Sequence, residues 1–503
     1  MADACVGLGC RPLPPNNAAG ASNRLRFPTF AKVSVFALRA TPDESANGPS
    51  YAGQELARHA WPPLMTRTAI VGSGITALAR AWQLRQQGID CTVLEPSTQI
   101  GGAIQSHRAG PYLAEEGPNS LQVNSADVDA FLKNIPGLEA RITPAAQQAK
   151  KRFILRNGRP MAVPTGPLSA MTTPLWSLGA KLRVLKEPFI PAIDPAVEES
   201  AADFVRRRLG DELYRYAINP LIGGIYAGNP ETLSLRYAFP KLYALEQTHG
   251  GMIRGGLAKM RAARRSDAPK FEKRIISFRD GLGELPKCLA ELMADAIYTD
   301  VAIDRIQNAE NGWQIRWNGQ EQTYDSLIVT TPAHALEKLP FPDDLQNDLN
   351  ALQSIDYPPV SVLSLAFKRS DVAHPLDGFG MLVPECEQRT LLGVLFPSSV
   401  FPGRAPEDEV MLTIFVGGER QPEYAQADTD ALTATVLPEL RAMLGVSGVP
   451  TFVHHRHWPR AIPQYKLGYG ALLEQIGKIE KCHLGLELAG NYRTGISLSY
   501  CIE

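Results

Sequence analysis

The spacing of apolar residues changes twice early in the chain, which predicts a strand, a helix and a second strand. The first run, Thr68–Val71, is short and continuously apolar. Apolar side chains then recur at helical spacing from Ile75 to Trp82, and the helical pattern ends at Gly88. A second apolar run, Ile89–Leu94, follows at once. This alternation is typical of a βαβ unit with parallel strands.

The turn between the first strand and the helix is rich in glycine; it reads Gly72, Ser73, Gly74, Ile75, Thr76 and Ala77. The first glycine allows a tight turn, the second lets a pyrophosphate approach the backbone, and small Ala77 lets helix and strand pack closely. Free N–H groups at the start of the helix then face the phosphates. Glu95 ends the second strand, 23 residues after Gly72, where a carboxylate suits a ribose diol. The unit predicts dinucleotide binding over a merely structural turn, and it leaves FAD and NAD both open.

Length, charge and cysteine usage exclude several classes of protein. A chain of 503 residues is expected to form two or three domains. Its net charge of −1 offers no basic field, so nucleic acid is not an expected partner. We find no apolar run of 18 residues, so no transmembrane helix is predicted, and contact with a membrane surface stays open. The seven cysteines are scattered without a CxxC pair, so neither a disulfide framework nor a metal site is predicted.

Residues 1–64 differ from the rest of the chain. The first forty contain five basic residues but a single acid, Asp3, and they show no hydrophobic periodicity. This composition resembles an organelle presequence, which predicts a plastid or a mitochondrion. The alternative is a disordered extension, in which case a bacterial cytoplasmic protein at the membrane periphery is expected.

Further glycine-rich turns follow the βαβ unit. Gly101, Gly102 and Ala103, and then Gly117, Pro118, Asn119 and Ser120, bring polar groups without bulk and are expected to continue the nucleotide site. Residues 219–228 are apolar and contain Gly223 and Gly224, which suits a cavity wall against a flat ligand. Residues 490–495 form a glycine turn from strand to helix whose amides suit an anion.

Residues 164–215 are predicted to form helices broken by prolines. Five apolar residues lie next to lysines and an arginine on one predicted face; they are Trp176, Leu178, Leu182, Leu185 and Phe189. This face predicts contact with a membrane surface, and packing against the protein body is the equally favoured alternative.

At residues 66–503 the chain resembles the flavin-dependent protoporphyrinogen oxidases of the amine-oxidase-like flavoprotein superfamily. The two earliest motifs, Gly72–Ala77 and Gly101-Gly102, are shared by the whole superfamily. More specific motifs then follow in order; they are 116–120, 156–158, 223–230, 378–384, 415–418, 461–465 and 488–492. The resemblance implies an α/β protein with a GR2-type Rossmann-like FAD-binding domain, a mixed-sheet substrate domain and a helical portion for membrane contact. It is also compatible with a homodimer.

The resemblance implies boundaries for each of these parts. The FAD-binding domain would comprise residues 65–149, 270–335 and 475–503. The substrate domain would comprise 150–163, 241–269 and 336–474, and the helical portion 164–240. The FAD would lie along Gly72–Ala77, with Glu95 on the adenosine ribose and the backbone of Ile303 at adenine. Further FAD contacts would come from Gly102, Ala103, Gly117, Pro118, Asn119, Ser120, Asn491, Ile496, Ser497 and Leu498.

The resemblance also implies the substrate contacts and the reaction. Arg156 would hold a propionate of the tetrapyrrole, Phe379 would stack on a pyrrole ring, and Val360 would form the opposite apolar wall. Gly223 and Gly224 would leave room for the macrocycle. Protoporphyrinogen IX would be oxidised to protoporphyrin IX in three two-electron steps, with dioxygen reduced to peroxide. Since the flavin carries the redox chemistry, we name no catalytic side chain.

Three alternatives stay open at this point. Coproporphyrinogen III would have four carboxylates, and the basic residues Lys150, Lys151, Arg152, Arg159 and Arg254 would suit it. An amine oxidase or polyene desaturase is disfavoured by an arginine beside the predicted cavity. A binding protein without catalysis, like the GDP-dissociation inhibitors, is disfavoured because both glycine turns and Glu95 are present.

Two departures from the family pattern stand out. The family often has a histidine soon after the motif at 463–465, where this chain has Gly468-Tyr469. Chains of that family also continue into a helix whose first turn lies by the flavin. An end at Glu503 is therefore expected to lower FAD affinity or stability, or to mark a sequence cut short.

Overall fold

The computed structural model describes residues 67–265 and 271–503, so the presequence prediction lies outside the described residues. Their strands are β1 (Arg67–Val71), β2 (Asp90–Leu94), β3 (Ser106–Ala109), β4 (Tyr112–Glu115), β5 (Leu121–Val123), β6 (Ile142–Pro144), β7 (Phe153–Arg156), β8 (Arg159–Ala162), β9 (Arg274–Phe278), β10 (Ile297–Tyr298), β11 (Ile303–Ala309), β12 (Gly312–Trp317), β13 (Gln320–Tyr324), β14 (Ser326–Val329), β15 (Val360–Lys368), β16 (Gly380–Leu382), β17 (Leu391–Leu395), β18 (Glu409–Gly417), β19 (Phe452–Trp458) and β20 (Leu486–Leu488).

The α-helices of the same ranges are α1 (Ile75–Gln86), α2 (Ala126–Lys133), α3 (Pro167–Thr172), α4 (Leu178–Leu185), α5 (Ala201–Arg208), α6 (Asp211–Leu213), α7 (Asn219–Tyr226), α8 (Leu235–Ala238), α9 (Pro240–His249), α10 (Met252–Arg265), α11 (Glu284–Leu292), α12 (Asp343–Leu349), α13 (Pro397–Val400), α14 (Thr429–Leu444), α15 (Tyr469–Cys482) and α16 (Leu498–Ile502).

The predicted βαβ unit forms the centre of a parallel five-stranded sheet. Its strand order is β10-β2-β1-β14-β20, and Thr68 of β1 pairs with Cys91 of β2 and Ser326 of β14. The apolar face of α1, including Leu78 and Trp82, is buried against this sheet. Because β1 is covered on both edges and both faces, its continuously apolar sequence is expected for a central parallel strand. The mixed α/β fold is thus as predicted.

A seven-stranded mixed sheet forms the second layer, in the order β19-β15-β18-β17-β16-β7-β8. Its neighbours pair antiparallel except for β16 and β7, which are parallel. One face of the sheet packs on α14, through buried residues that include Leu432, Val436 and Leu440. The opposite face receives α7, which approaches the strands closely at its two glycines. The seven-stranded sheet therefore lies between α14 and α7.

The helical portion between β8 and β9 is held by a fully buried ionic cluster. Arg208 of α5 donates a 2.8 Å hydrogen bond to Glu187 Oε1 and pairs with Glu246 of α9, and all three side chains are inaccessible to solvent. Buried charges are tolerated only when they are paired, so this cluster ties the helices to each other. Within the described ranges, no helix is long and apolar enough to cross a bilayer.

The predicted apolar face of residues 176–189 divides in two. Trp176 is buried in the core, as the packing alternative expected. The packing alternative is wrong for the other four residues, since Leu178, Leu182, Leu185 and Phe189 are exposed, Phe189 to 82%. The division arises because α4 packs on the protein body through Ala180 and Val184, which leaves its leucines on the outer face.

Candidate functional site

The two glycines of the turn after β1 differ in their surroundings. The fold requires glycine at Gly72, whereas Gly74 has open space beside it. Gly72 has a φ of +100°, and a Cβ there would lie 2.7 Å from Thr330 Oγ1 at the end of β14. Gly74 has an extended conformation, φ −63° and ψ 171°, and an added Cβ would meet no heavy atom within 4 Å. The open side of Gly74 lies at the start of α1, where free N–H groups attract phosphate.

The carboxylate of Glu95 lies at the mouth of this turn. Its Oε2 accepts hydrogen bonds from Ser73 N at 2.8 Å and from Ser73 Oγ at 2.7 Å, and its Oε1 accepts one from Ser97 N. The backbone of Val301 donates to Glu95 O at 3.1 Å, which brings the start of β11, and with it Ile303, to the same edge. The parallel sheet thus collects the residues predicted for the adenosine end at the carboxyl ends of its strands.

The next two predicted segments stack on the glycine turn. Gly101 N donates to Ser73 O at 2.9 Å, and a Cβ on Gly102 would lie 3.3 Å from Gly74 Cα. A Cβ on Gly117 would lie 2.2 Å from Ala103 O. The backbones therefore lie close together at these positions, and at Gly117 a side chain would clash with the carbonyl of Ala103.

Two polar atoms along these segments are buried without a hydrogen-bond partner among the described residues. They are Asn119 Oδ1 and Thr331 Oγ1, and Thr331 lies next to Gly72. Buried polar groups are nearly always paired, so unpaired ones indicate a polar ligand in the position they face. Open space at Gly74, a carboxylate for a diol and unpaired polar atoms fit the adenosine and pyrophosphate of FAD.

The last predicted FAD segment follows β20. Gly490 has a φ of +128°, and Ser497 Oγ caps α16 by accepting from Tyr500 N. Leu498 packs with the cluster that contains α1, while Ile496 packs with the larger core that includes the helical portion. Asn491 O accepts a hydrogen bond from the Tyr465 hydroxyl. This segment therefore runs from the nucleotide turn toward the substrate domain.

The predicted substrate residues fall into two groups. Val360 is buried in a small apolar cluster with Val362, Leu392 and Ala227, and Trp458 packs against it. A Cβ on Gly224 would lie 2.4 Å from Leu382 Cδ2, and one on Gly223 would lie 3.2 Å from Arg420 Nη2. The two glycines thus allow α7 to approach β16 and β17, and they lie beside the Val360 cluster.

Arg156 and Phe379, in contrast, lie at opposite ends of paired strands. Arg156 Nη1 donates to Glu212 Oε1 at 2.7 Å, and its guanidinium lies 4.4 Å from the centre of the Tyr216 ring. Phe379 lies beside Lys151, whose carbonyl accepts from Phe379 N at 2.8 Å. Five residues separate Lys151 from Arg156, about 16 Å along an extended strand.

The arginine that the structure brings to Phe379 is Arg152. Its guanidinium lies over the Phe379 ring at 5.2 Å from the centre. The sequence marked Arg152 only as part of a basic run, and its position relative to Phe379 follows from the parallel pairing of β7 with β16. Arg152 and Arg156 are four residues apart, so the alternation of a strand places both on the same face. The sequence therefore could not show which of the two lies next to Phe379.

Fold and site together define a flavin-dependent oxidoreductase that binds FAD. The profile of the flavin containing amine oxidoreductase family matches residues 73–497. The protoporphyrinogen oxidase 2, chloroplastic/mitochondrial, of Arabidopsis thaliana is 34% identical over 466 residues, covering 87% of this chain and 91% of that protein. The coproporphyrinogen III oxidase of Staphylococcus aureus is 30% identical over 459 residues, covering 87% of this chain and 97% of that protein.

Among solved structures, a protein from Exiguobacterium sp. 255-15 assigned as a protoporphyrinogen oxidase superposes with a TM-score of 0.72. It is 23% identical and covers 87% of this chain and 96% of its own, which supports the shared fold. The chain belongs to the flavin containing amine oxidoreductase family and, within it, to the protoporphyrinogen oxidases.

Proposed function

We propose that this protein oxidises protoporphyrinogen IX to protoporphyrin IX with dioxygen as the electron acceptor. The observation that carries the proposal is the 34% identity to the Arabidopsis thaliana protoporphyrinogen oxidase 2 across nearly the whole of both chains. Loss of six hydrogens from the porphyrinogen balances the reduction of three dioxygen molecules to three of hydrogen peroxide.

Bound FAD supplies the redox chemistry, by accepting two electrons at a time from substrate and passing them to dioxygen. The chain itself binds and orients. Glu95 would hold the ribose of bound FAD, and the backbone of Gly72–Ala77 would face its pyrophosphate. Val360, Leu392 and Trp458 pack together in one apolar cluster, which would form a wall for a flat macrocycle.

Two arginines are candidates for the substrate carboxylates. Arg156 is the residue implied by the family resemblance, and it forms an ion pair with Glu212. Arg152 lies over Phe379, where a guanidinium would reach a carboxylate on a ring stacked there. We propose that Arg152 binds a propionate directly, and that Arg156 contributes at the far end of β7.

Replacing each arginine by alanine separates these roles. Arg152→Ala should raise the KM for protoporphyrinogen, because it removes about 1.5–3 kcal/mol of binding free energy. The change in kcat should be smaller. Arg156→Ala should have the smaller effect on KM. If Arg152→Ala leaves the kinetics unchanged and Arg156→Ala raises the KM, then Arg156 and not Arg152 binds the propionate.

The reaction is tested by purifying the protein, recording its visible spectrum and following porphyrin fluorescence with each porphyrinogen. A yellow protein that converts protoporphyrinogen IX faster than coproporphyrinogen III supports the proposal. Preference for coproporphyrinogen III would favour the second candidate, which the relative from Staphylococcus aureus and the basic run at 150–152 support. A colourless protein that takes up no flavin would refute both.

We further propose that α3, α4 and the turn after them contact a membrane surface. Six large apolar side chains are exposed there; they are Leu168, Met171, Leu178, Leu182, Leu185 and Phe189. Lys186 lies next to them in the chain and is exposed, as basic residues are on helices that bind anionic lipid surfaces. Several large exposed apolar side chains in one short stretch of chain are typical of a binding surface.

Sedimentation with anionic phospholipid vesicles tests the membrane contact. The double variant Leu182→Gln, Leu185→Gln should bind fewer vesicles than the unaltered protein. Leu484→Gln is the matched control, because Leu484 is also exposed but lies in the turn before β20. Equal binding of all three proteins would refute the surface.

For residues 1–40 we propose an organelle presequence, because they are basic and acid-poor and because plant relatives are named chloroplastic or mitochondrial. Fusion of residues 1–64 to a fluorescent protein should direct it to plastids or mitochondria of plant cells. A diffuse cytosolic signal would refute the assignment.

A further inference from the structure

The predicted flavin segment that starts at Gly117 is held at its base by the substrate-domain sheet. Glu116 O accepts a 2.6 Å hydrogen bond from Trp458 Nε1, and Glu116 Oε1 lies 2.9 Å from His454 Nε2. Arg456 Nε lies 3.6 Å from the other carboxylate oxygen. These three residues alternate along edge strand β19, so one face of that strand is directed at Glu116.

The chain around Glu116 makes two further contacts, one through the backbone of Glu116 and one between His107 and His454. The backbone N–H of Glu116 donates to Gln105 O at 2.9 Å. On hairpin β3–β4, the His107 ring stacks on the His454 ring, with 4.0 Å between centres and 3° between planes. The hydrogen bond from His454 lowers the pKa of Glu116, so a charged carboxylate is favoured there.

His107, Glu116 and His454 also bring three ligand-type atoms within 4.8 Å of one another, which raises the question of a metal ion. A metal bound by an imidazole lies near the plane of the ring. Parallel rings stacked 4.0 Å apart share no such position, so this geometry favours hydrogen bonding over metal coordination.

The chain that leaves β19 reaches the other predicted flavin segment. The Tyr465 hydroxyl donates to Asn491 O, and the Tyr469 hydroxyl donates to Tyr492 O at 2.5 Å. Both tyrosines are buried, and their rings lie 4.6 Å apart. Gln464, between the two ends, donates to Tyr226 O of α7 at 2.8 Å.

We propose that residues 454–469 form a brace that fixes both flavin-facing segments, 116–120 and 490–496, at a set distance from the substrate wall. His454, Trp458, Tyr465 and Tyr469 are then positioning residues, which act on the flavin through the backbone they hold. Trp458 belongs to the brace and also packs against the Val360 cluster. The same stretch of chain would therefore set the positions of both the flavin and the macrocycle. The expected effect on flavin reduction by porphyrinogen rests on the proposed function. The expected effect on hydrogen exchange requires only that the protein binds FAD.

Hydrogen exchange of the FAD-loaded protein tests the brace independently of turnover. His454→Leu should speed exchange in residues 116–120, and Tyr469→Phe should speed it in residues 490–496, each by about tenfold, as expected for one lost hydrogen bond to a charged group or a buried carbonyl. His454→Gln retains an N–H donor and should restore slow exchange. The controls are His457→Leu, on the exposed opposite face of β19, and Tyr324→Phe, a buried tyrosine whose hydroxyl bonds Gln322.

Rapid mixing under anaerobic conditions then measures how fast protoporphyrinogen IX reduces the flavin. The limiting rate should fall about tenfold in His454→Leu and Tyr469→Phe with little change in substrate affinity, and it should recover in His454→Gln. Exchange and reduction rates equal to those of the control variants would overturn the brace. If the unaltered protein is not reduced by any porphyrinogen, the proposed function fails, while the exchange measurement still decides the brace.

Discussion

Gly74→Ala should weaken FAD binding without weakening the fold. The backbone of Gly74 is extended, which any residue adopts, and the new Cβ meets no protein atom within 4 Å. The apoprotein should therefore be as stable as before, or more stable by about 0.4–1 kcal/mol, because alanine restricts the unfolded chain.

The magnitude of the binding defect follows from what the open side of Gly74 admits. A methyl group there keeps the pyrophosphate from the N–H groups at the start of α1. Loss of one hydrogen bond to a charged oxygen costs about 1.5–3 kcal/mol, which raises the Kd for FAD roughly 10–150-fold. Gly74→Val should exceed this range, since its branched side chain fills more of the approach.

Gly72→Ala is the contrasting variant. Its φ of +100° and the 2.7 Å approach to Thr330 Oγ1 make a side chain costly whether or not FAD is bound. We expect a loss of about 1–3 kcal/mol in the free energy of unfolding of the apoprotein. The two glycines, two residues apart in the chain, thus separate a requirement of the fold from a requirement of the ligand.

The assay combines thermal unfolding of the apoprotein with FAD titration followed by quenching of flavin fluorescence. Gly74→Ala should unfold at the temperature of the unaltered protein and bind FAD weakly. Wild-type FAD affinity in Gly74→Ala would refute the placement of the pyrophosphate. A large loss of apoprotein stability in that variant would show that the space at Gly74 belongs to the fold.

Two further predictions concern the charged groups. Arg208→Met removes the only cation paired with Glu187 among the described residues and leaves Glu246 with Arg207 alone, so it should cost about 3–5 kcal/mol in urea unfolding. Arg206→Met breaks an exposed pair with Glu231 and should cost at most about 1 kcal/mol. Equal effects of the two variants would refute the buried network. The folded-state pKa of Glu116 lies below its ordinary value of 4.5, mainly because His454 donates a hydrogen bond, so its contribution to stability is present above that value and disappears as the pH falls through the lower folded pKa. Glu116→Gln should therefore lower the unfolding temperature at about pH 7, and this difference should shrink as the pH falls below 4.5. A difference that stays constant as the pH falls would contradict this assignment.

Local sequence predicted the βαβ unit and the glycine turn that it carries. The turn from Gly72 to Ala77 and the acid at Glu95 are close in the chain, and the geometry of one βαβ unit brings them together without help from distant residues. The period of the apolar residues likewise located β1, α1 and β2 to within one or two residues. These features depend on backbone conformation and short-range packing, which the sequence encodes directly.

The positions of the residues predicted to bind substrate depend on pairings between distant strands. The sequence could not choose Arg152 or Arg156 as the neighbour of Phe379, because the choice is made by the register of β7 on β16. Nor did it single out Glu116 and His454, which are more than three hundred residues apart in the chain and 2.9 Å apart in the structure.

The sequence by itself thus determined the cofactor turn, the class of fold and the family, since each resides in short ordered motifs. Tertiary structure alone decided which face of α4 is exposed, which arginine lies over Phe379 and which strand contacts Glu116. Those outcomes depend on how separate elements pack. Strand register sets the partners of a side chain across a sheet, and the residues next to it in the sequence do not determine that register.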